Sequence, residues 1–310
     1  MATVITILLP VFGLVLAGFV TARTRLLSRE GIRGLAIFVY YLAIPALLFR
    51  STSAGIPGTG DELTLVLAYF IGTVALFGAA MLAGAWRFGL GLREQSVMAI
   101  NAAFGNTVQM GAPIILAAFG PPGMKPLTLI IALHSVVLLT LATIVIELGR
   151  GRGGSPGHAL RAAGRAIAGN PIILAIAAGF LWSRLGLALP RAVAGFLDLL
   201  APAAGPCALF TLGASLSGFR LAAGFGETFV IVVLKLVTLP LLVWALAKIF
   251  ALSRLDTAVA VVTAALPVGM NAFIFAQRYD IYVARSASAV VLSNLLSAAT
   301  LAIVLALFAT

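Results

Sequence analysis

Asn101, Asn106, Gln109 and Asn271 are carboxamides set in stretches otherwise suited to lipid, and they lie beside glycine and proline. Gly105-Asn106-Thr107-Val108-Gln109-Met110-Gly111 runs up to Pro113, and Pro267-Val268-Gly269-Met270-Asn271 has the same character near the other end of the chain. Proline removes a backbone donor and clashes with the preceding turn, while glycine permits unwinding. The pattern predicts two interrupted helices. Unwound backbone at membrane depth survives only where protein or water satisfies it, and the amides can supply that. Two half-helix N-termini at one depth would also turn partial positive charge toward an anion.

Four further residues belong to this chemistry. Lys235 falls inside an apolar stretch, where an ammonium costs about 2.5–3.5 kcal/mol on insertion scales and needs a reason. It could neutralise a substrate carboxylate, balance the C-terminal dipole ends of the broken helices, carry a proton, or simply snorkel to the headgroups. His134, followed by Ser135, is a second candidate; its alternative is a neutral histidine bonded to a neighbouring helix. Asn294 completes the polar set. The expected substrate or ion contacts are thus Asn101, Asn106, Gln109, Asn271, Lys235, His134, Ser135 and Asn294, on a crossover backbone of Gly105, Gly111, Pro113, Pro267 and Gly269.

The elements that position these residues follow from composition. The chain has 310 residues, 62% of them hydrophobic and 9% charged, so lipid must be the solvent for most of it. Its 20 Lys and Arg against 9 Asp and Glu would suggest nucleic acid on a soluble protein. Here the cations sit in short gaps between apolar runs, and no basic stripe with interleaved aromatics exists. Cys207 is the single cysteine, which excludes disulfides within the chain and cysteine-based metal sites. No metal or cofactor is expected.

Apolar runs of roughly 20 residues, the length that crosses about 30 Å of hydrocarbon, give an all-α polytopic protein of ten expected transmembrane helices. They lie near 3–22, 32–51, 63–85, 95–119, 126–148, 169–188, 192–217, 228–249, 257–277 and 286–308. The first run is read as a retained helix and not a signal peptide, because Arg23, Arg25 and Arg29 follow it instead of preceding it. With both termini outside, thirteen cations fall in cytoplasmic gaps (Arg23, Arg25, Arg29, Arg33, Arg87, Arg93, Arg150, Arg152, Arg161, Arg165, Arg220, Arg278 and Arg285). Six fall outside (Arg50, Lys125, Arg184, Arg191, Lys248 and Arg254), so the bias has the expected sign. The Gly- and Arg-rich stretch 149–168 reads as a cytoplasmic linker, either a solvated loop or a short basic amphipathic helix.

An internal repeat supports a division into 1–148 and 169–310. Ala17-Gly18-Phe19 with Arg23 recurs as Ala178-Gly179-Phe180 with Arg184; Ala43, Pro45 and Phe49 recur as Ala204, Pro206 and Phe210; Arg93 recurs as Arg254; every offset is 161. Five helices per copy is an odd number, so the second copy enters the membrane inverted, the plan of secondary transporters.

The segments Gly105-Asn106…Gly111-Ala112-Pro113…Phe119-Gly120 and Leu266-Pro267-Val268-Gly269-Met270-Asn271-Ala272-Phe273-Ile274-Phe275-Ala276 resemble those of the auxin efflux carrier family, which includes bacterial permeases for malonate and related organic acids. The resemblance covers the whole chain. It implies a 5+5 fold like that of bile acid symporters, with helices 1, 2, 6 and 7 as scaffold and helices 3–5 and 8–10 as a core moving by an elevator mechanism. It also implies homodimers, small carboxylate substrates and a bacterial inner membrane. The plant members carry an Asn-Pro crossover motif; here Thr107 follows Asn106 and no Asn precedes Pro267, so auxin itself is not implied.

Function is therefore expected to be secondary transport of a mono- or dicarboxylate by alternating access. Glu94, Glu147 and Asp256 sit only at the ends of the expected core helices. Related symporters bind sodium with carboxylates at the crossover, so proton coupling or uniport is favoured over a sodium-coupled organic-anion symporter, although amide and backbone oxygens could still bind sodium. A membrane-embedded enzyme is the alternative from another class. It lacks His-Glu-x-x-His and any acidic metal cluster. A channel or receptor would not require inverted repeats.

Overall fold

The computed structural model describes residues 2–53, 62–149, 168–219 and 224–308, together with Gly157 and Gly164. Arg150, Arg152, Arg161, Arg165 and Arg220, and with them most of the expected linker, lie outside the described residues. The described residues form helices and no strand beyond one isolated bridge. Among them seven helices are long and apolar enough to cross a membrane: Val4–Arg23, Arg29–Ser53, Glu62–Phe88, Thr107–Leu148, Arg191–Leu216, Phe225–Ile249 and Val283–Phe308. Pro171–Arg184 is apolar but shorter.

In chain order the α-helices are α1 (Ala2–Arg23), α2 (Arg29–Phe38), α3 (Ile44–Ser53), α4 (Glu62–Phe88), α5 (Leu92–Ala103), α6 (Ala112–Leu148) and α7 (Pro171–Arg184). There follow α8 (Arg191–Leu200), α9 (Ala204–Leu216), α10 (Phe225–Val233), α11 (Leu239–Ile249), α12 (Arg254–Ala265), α13 (Met270–Tyr279) and α14 (Val283–Phe308). π turns at Val39–Ala43, Thr107–Gly111 and Leu234–Thr238 join α2 to α3, lead into α6 and join α10 to α11. A straight α6 of 37 residues would run about 55 Å, well beyond one hydrocarbon core. It breaks at Gly120, whose φ of 65° and ψ of −164° suit only glycine, and Pro121 starts the second leg.

α5 and α12 are the opposite case. Each has 12 residues, about 18 Å, so neither reaches across. Both are capped at the start: the Gly91 N–H donates to Glu94 Oε2 (2.9 Å), and the Asp256 N–H donates to Ser253 Oγ (3.1 Å). From Ser96 and from Thr257 onward every residue of the two helices is buried. They are the innermost elements, and both stop at the glycine- and proline-bearing segments.

Away from them the packing is set by small residues. α1 lies on α9, with Gly18 under the carbonyl of Phe210 and Gly213 under the carbonyl of Val15. α3 lies on α7, with Gly179 against Thr52 and the carbonyl of Phe49. Backbones approach this closely only where no Cβ intervenes, which is how helices associate without a hydrophobic driving force between them. The outward faces keep Leu9, Leu16, Trp86, Leu199 and Leu307 exposed, as lipid contact requires. Among the described residues, ion pairs at helix ends include Arg50–Asp198 (2.9 Å), Lys125–Glu62 (2.9 Å) and Arg285–Glu227 (2.8 Å).

Candidate functional site

The two interruptions meet. α5 ends because Phe104 turns extended (φ −82°, ψ 106°), and Gly105 then pairs antiparallel with Val268 beyond the end of α12. The Asn106 N–H donates to Pro267 O and the Gly269 N–H to Phe104 O, both at 2.9 Å. The remaining donors of the unwound stretch turn to side chains: Gly105 N–H to His134 Nε2 (3.1 Å) and Val268 N–H to Ser293 Oγ (3.0 Å). Pro267 has no donor to satisfy. The crossover is thus an intact hydrogen-bonded unit inside the protein, which is what non-helical backbone at membrane depth demands. Glycine is needed for the approach. A Cβ on Gly269 would stand 2.8 Å from Gly105 O, and one on Gly105 would stand 3.2 Å from Lys235 Nζ.

The electrostatics are asymmetric. The C-terminal ends of α5 and α12 face a cation: Lys235 is fully buried and its ammonium donates to Ala264 O at 2.6 Å. The segments that lead into the following helices, 104–111 and 266–271, contain no Asp or Glu. There Asn106 is 5% exposed and its Nδ2 is buried without a partner, while its backbone carbonyl accepts from Gly111 N–H at 3.0 Å. An amide donor beside two helix N-termini is suited chemically to an anion.

A cavity of about 460 Å³ opens beside it. Its walls are mostly apolar, with Leu14, Leu47, Pro113, Leu116, Pro206 and Leu209 from α1, α3, the first leg of α6 and the start of α9, and Asp198, paired with Arg50, is the one charged residue lining it. Ala112 and Pro113 connect this space to the π turn that follows Asn106.

Residues 3–156 and 158–305 match the family described as "Membrane transport protein". The chain belongs to the auxin efflux carrier family. Over 308 residues it is 32% identical to the "Putative malonate transporter" of Rhizobium meliloti (strain 1021), covering 97% of this chain and 94% of that one. It is 27% identical over 338 residues to "Auxin efflux carrier component 8" of Arabidopsis thaliana, with 90% of each chain covered. An "Uncharacterized transporter" of Methanothermobacter thermautotrophicus is 27% identical over 295 residues, 94% of each. This auxin efflux carrier family member is a multi-pass membrane transporter.

Within this family member the remaining expected residues separate into two groups. Asn101 is buried on α5, its Nδ2 donating to Val97 O and Ser286 Oγ (both 2.8 Å) while its Oδ1 has no partner. His134 is buried among Tyr69, Phe70 and Phe104, and its Nε2 accepts from the crossover, so in the neutral ring the proton lies on the unpartnered Nδ1. Gly111 packs under Leu266, whose Cδ1 would lie 2.8 Å from a Cβ there. Asn294 bonds back to Val290 O (2.8 Å) within α14. Gln109 and Ser135 are half-buried, and Asn271 is exposed in the first turn of α13. The structure therefore gathers Asn106, Gly105, Pro267, Gly269, His134 and Lys235, and leaves Asn271 to one side. Ser293, Tyr69 and Thr263 were missed by sequence reasoning. Ser286, Ser293 and Ser297 fall at helical spacing on α14, and that polar stripe in an apolar helix was the available signal for Ser293.

Proposed function

We propose that this family member carries a small organic anion, a mono- or dicarboxylate, by alternating access at the crossover. The observation that bears the most weight is the unpartnered, buried amide of Asn106 at helix N-termini whose own segments, 104–111 and 266–271, carry no carboxylate. The substrate carboxylate supplies the missing charge. The name of the Rhizobium relative points to the same class. In this reading ten spans form two inverted five-helix repeats: the broken pairs α5 with the first leg of α6, and α12 with α13, count as one span each, and α7 is another.

Two sets of contacts support the inversion. Gly18 under Phe210 and Gly179 against Phe49 exchange when 161 is added to each first-half number. The crossover bonds Asn106 to Pro267 and Gly269 to Phe104 exchange in the same way at an offset of 163. Arg50–Asp198 joins two scaffold helices, and Lys125–Glu62 and Arg285–Glu227 join core helices, so none of these pairs ties scaffold to core. That leaves the core free to slide along the apolar cavity as an elevator. Homodimerisation and outward-facing termini are part of the same reading.

Purified protein in proteoliposomes loaded with unlabelled malonate should accumulate labelled malonate by counterflow, with saturation. Flux that neither saturates nor responds to internal substrate would defeat the carrier reading in favour of a channel. Counterflow that requires sodium would favour the sodium-coupled symporter.

A further inference from the structure

Lys235 lies in the π turn Leu234–Thr238, and such turns often mark functional positions because they re-aim a side chain. Here the effect is to direct the ammonium between two helix ends. On one side it bonds Ala264 O, one of the last carbonyls of α12, which have no partner within the helix. On the other side it stands 3.2 Å from the Cβ position of Gly105, just beyond the end of α5. Each helix C-terminus carries roughly half a negative charge. One ammonium therefore balances two termini, and among the described residues no carboxylate pairs with it. Two acceptor oxygens on the same pair of helices, Asn101 Oδ1 and Thr263 Oγ1, are buried without partners. Together with the terminal carbonyls they are the hard oxygen donors that an alkali cation would use.

We propose that Lys235 is a tethered cation standing where a soluble monovalent cation would otherwise be required, and that removing it opens a cation site between the C-termini of α5 and α12. The wild-type protein is then indifferent to sodium because its cation is covalently attached. This deepens the carrier reading by assigning the coupling role of one residue, but its stability arm does not depend on which substrate is carried.

The test compares thermal unfolding of detergent-purified wild type, Lys235→Ala, Lys235→Met and Lys235→Arg in choline chloride, sodium chloride and n-propylammonium chloride at equal ionic strength, with malonate counterflow measured in parallel. The wild type and Lys235→Arg should melt alike in all three salts. Lys235→Ala should melt lower in choline, and sodium or propylammonium should raise it by about 3 °C, as a tenfold ratio of bound to free protein would. Lys235→Met fills the space without the charge and should be low and beyond rescue. A wild type stabilised by sodium, a Lys235→Ala protein that ignores both cations, or a Lys235→Met protein as stable as wild type would each overturn the proposal. If Lys235→Ala does not survive purification, the wild-type and Lys235→Met arms still decide. Absence of malonate counterflow in the wild type would count against the carrier reading alone.

Discussion

Gly213→Ala is expected to cost about 3 kcal/mol of stability, the upper part of the usual overpacking range. The new methyl would enter the shell of the Val15 carbonyl, with Val15 C at 2.6 Å and Cα at 2.9 Å. A side chain could rotate away; this neighbour is backbone, so α1 and α9 would have to separate along their length. The close approach of the two helices rests on this residue and on Gly18, which meets Phe210 in the same way. Thermal unfolding in detergent should show a large fall in Tm, whereas Gly13→Ala on the exposed side of α1, where nothing lies within 4 Å, should be neutral or slightly stabilising. A Gly213→Ala protein melting with the wild type would show that the pair does not pack as described.

Gly269→Ala should abolish transport more completely than it destabilises the fold. Its φ of −75° is comfortable for alanine, so the conflict is not conformational but steric, with Gly105 O at 2.8 Å and Phe104 Cδ1 at 3.0 Å. Parting the two segments breaks the Asn106–Pro267 and Gly269–Phe104 bonds. At about 1 kcal/mol each, their loss lowers the population of the assembled crossover by roughly thirtyfold. Counterflow should fall by at least that factor while membrane expression persists. Gly78→Ala, mid-helix with open space around it, is the control expected to transport as wild type. Equal rates for Gly269→Ala and Gly78→Ala would remove the crossover from the mechanism.

The two breaks were legible because glycine and proline act on their own backbone, and the spacing of apolar runs announced the helices on either side. Gly18 and Gly179 were legible as a repeat, though not as the packing contacts they prove to be. What could not be read was register. The offset of 161 pairs Gly105 with Leu266, yet Gly105 bridges Val268, because the pairing is fixed by how the two unwound segments meet in space and not by either sequence. By content Asn271 looked like the counterpart of Asn106, but the crossover places Gly269 in that role and leaves Asn271 exposed in the first turn of α13. Ser293 belongs to a polar stripe that was there to be read, but which distant backbone N–H it accepts from needed the fold. Lys235 was conspicuous by type, and its choice of partner, a helix C-terminus rather than a carboxylate, needed the fold.

The central claim is that the positive helix ends beside Asn106 await a substrate carboxylate. Equilibrium binding of labelled mono- and dicarboxylates to purified wild type and Asn106→Asp examines this directly, since aspartate matches asparagine in size and supplies the missing negative charge from within. Asn106→Asp should bind the best wild-type ligand at least tenfold more weakly, a loss of about 1.4 kcal/mol or more, and should melt higher than wild type without ligand. A wild type that binds no carboxylate, or an Asn106→Asp protein that binds it as tightly, would contradict the account.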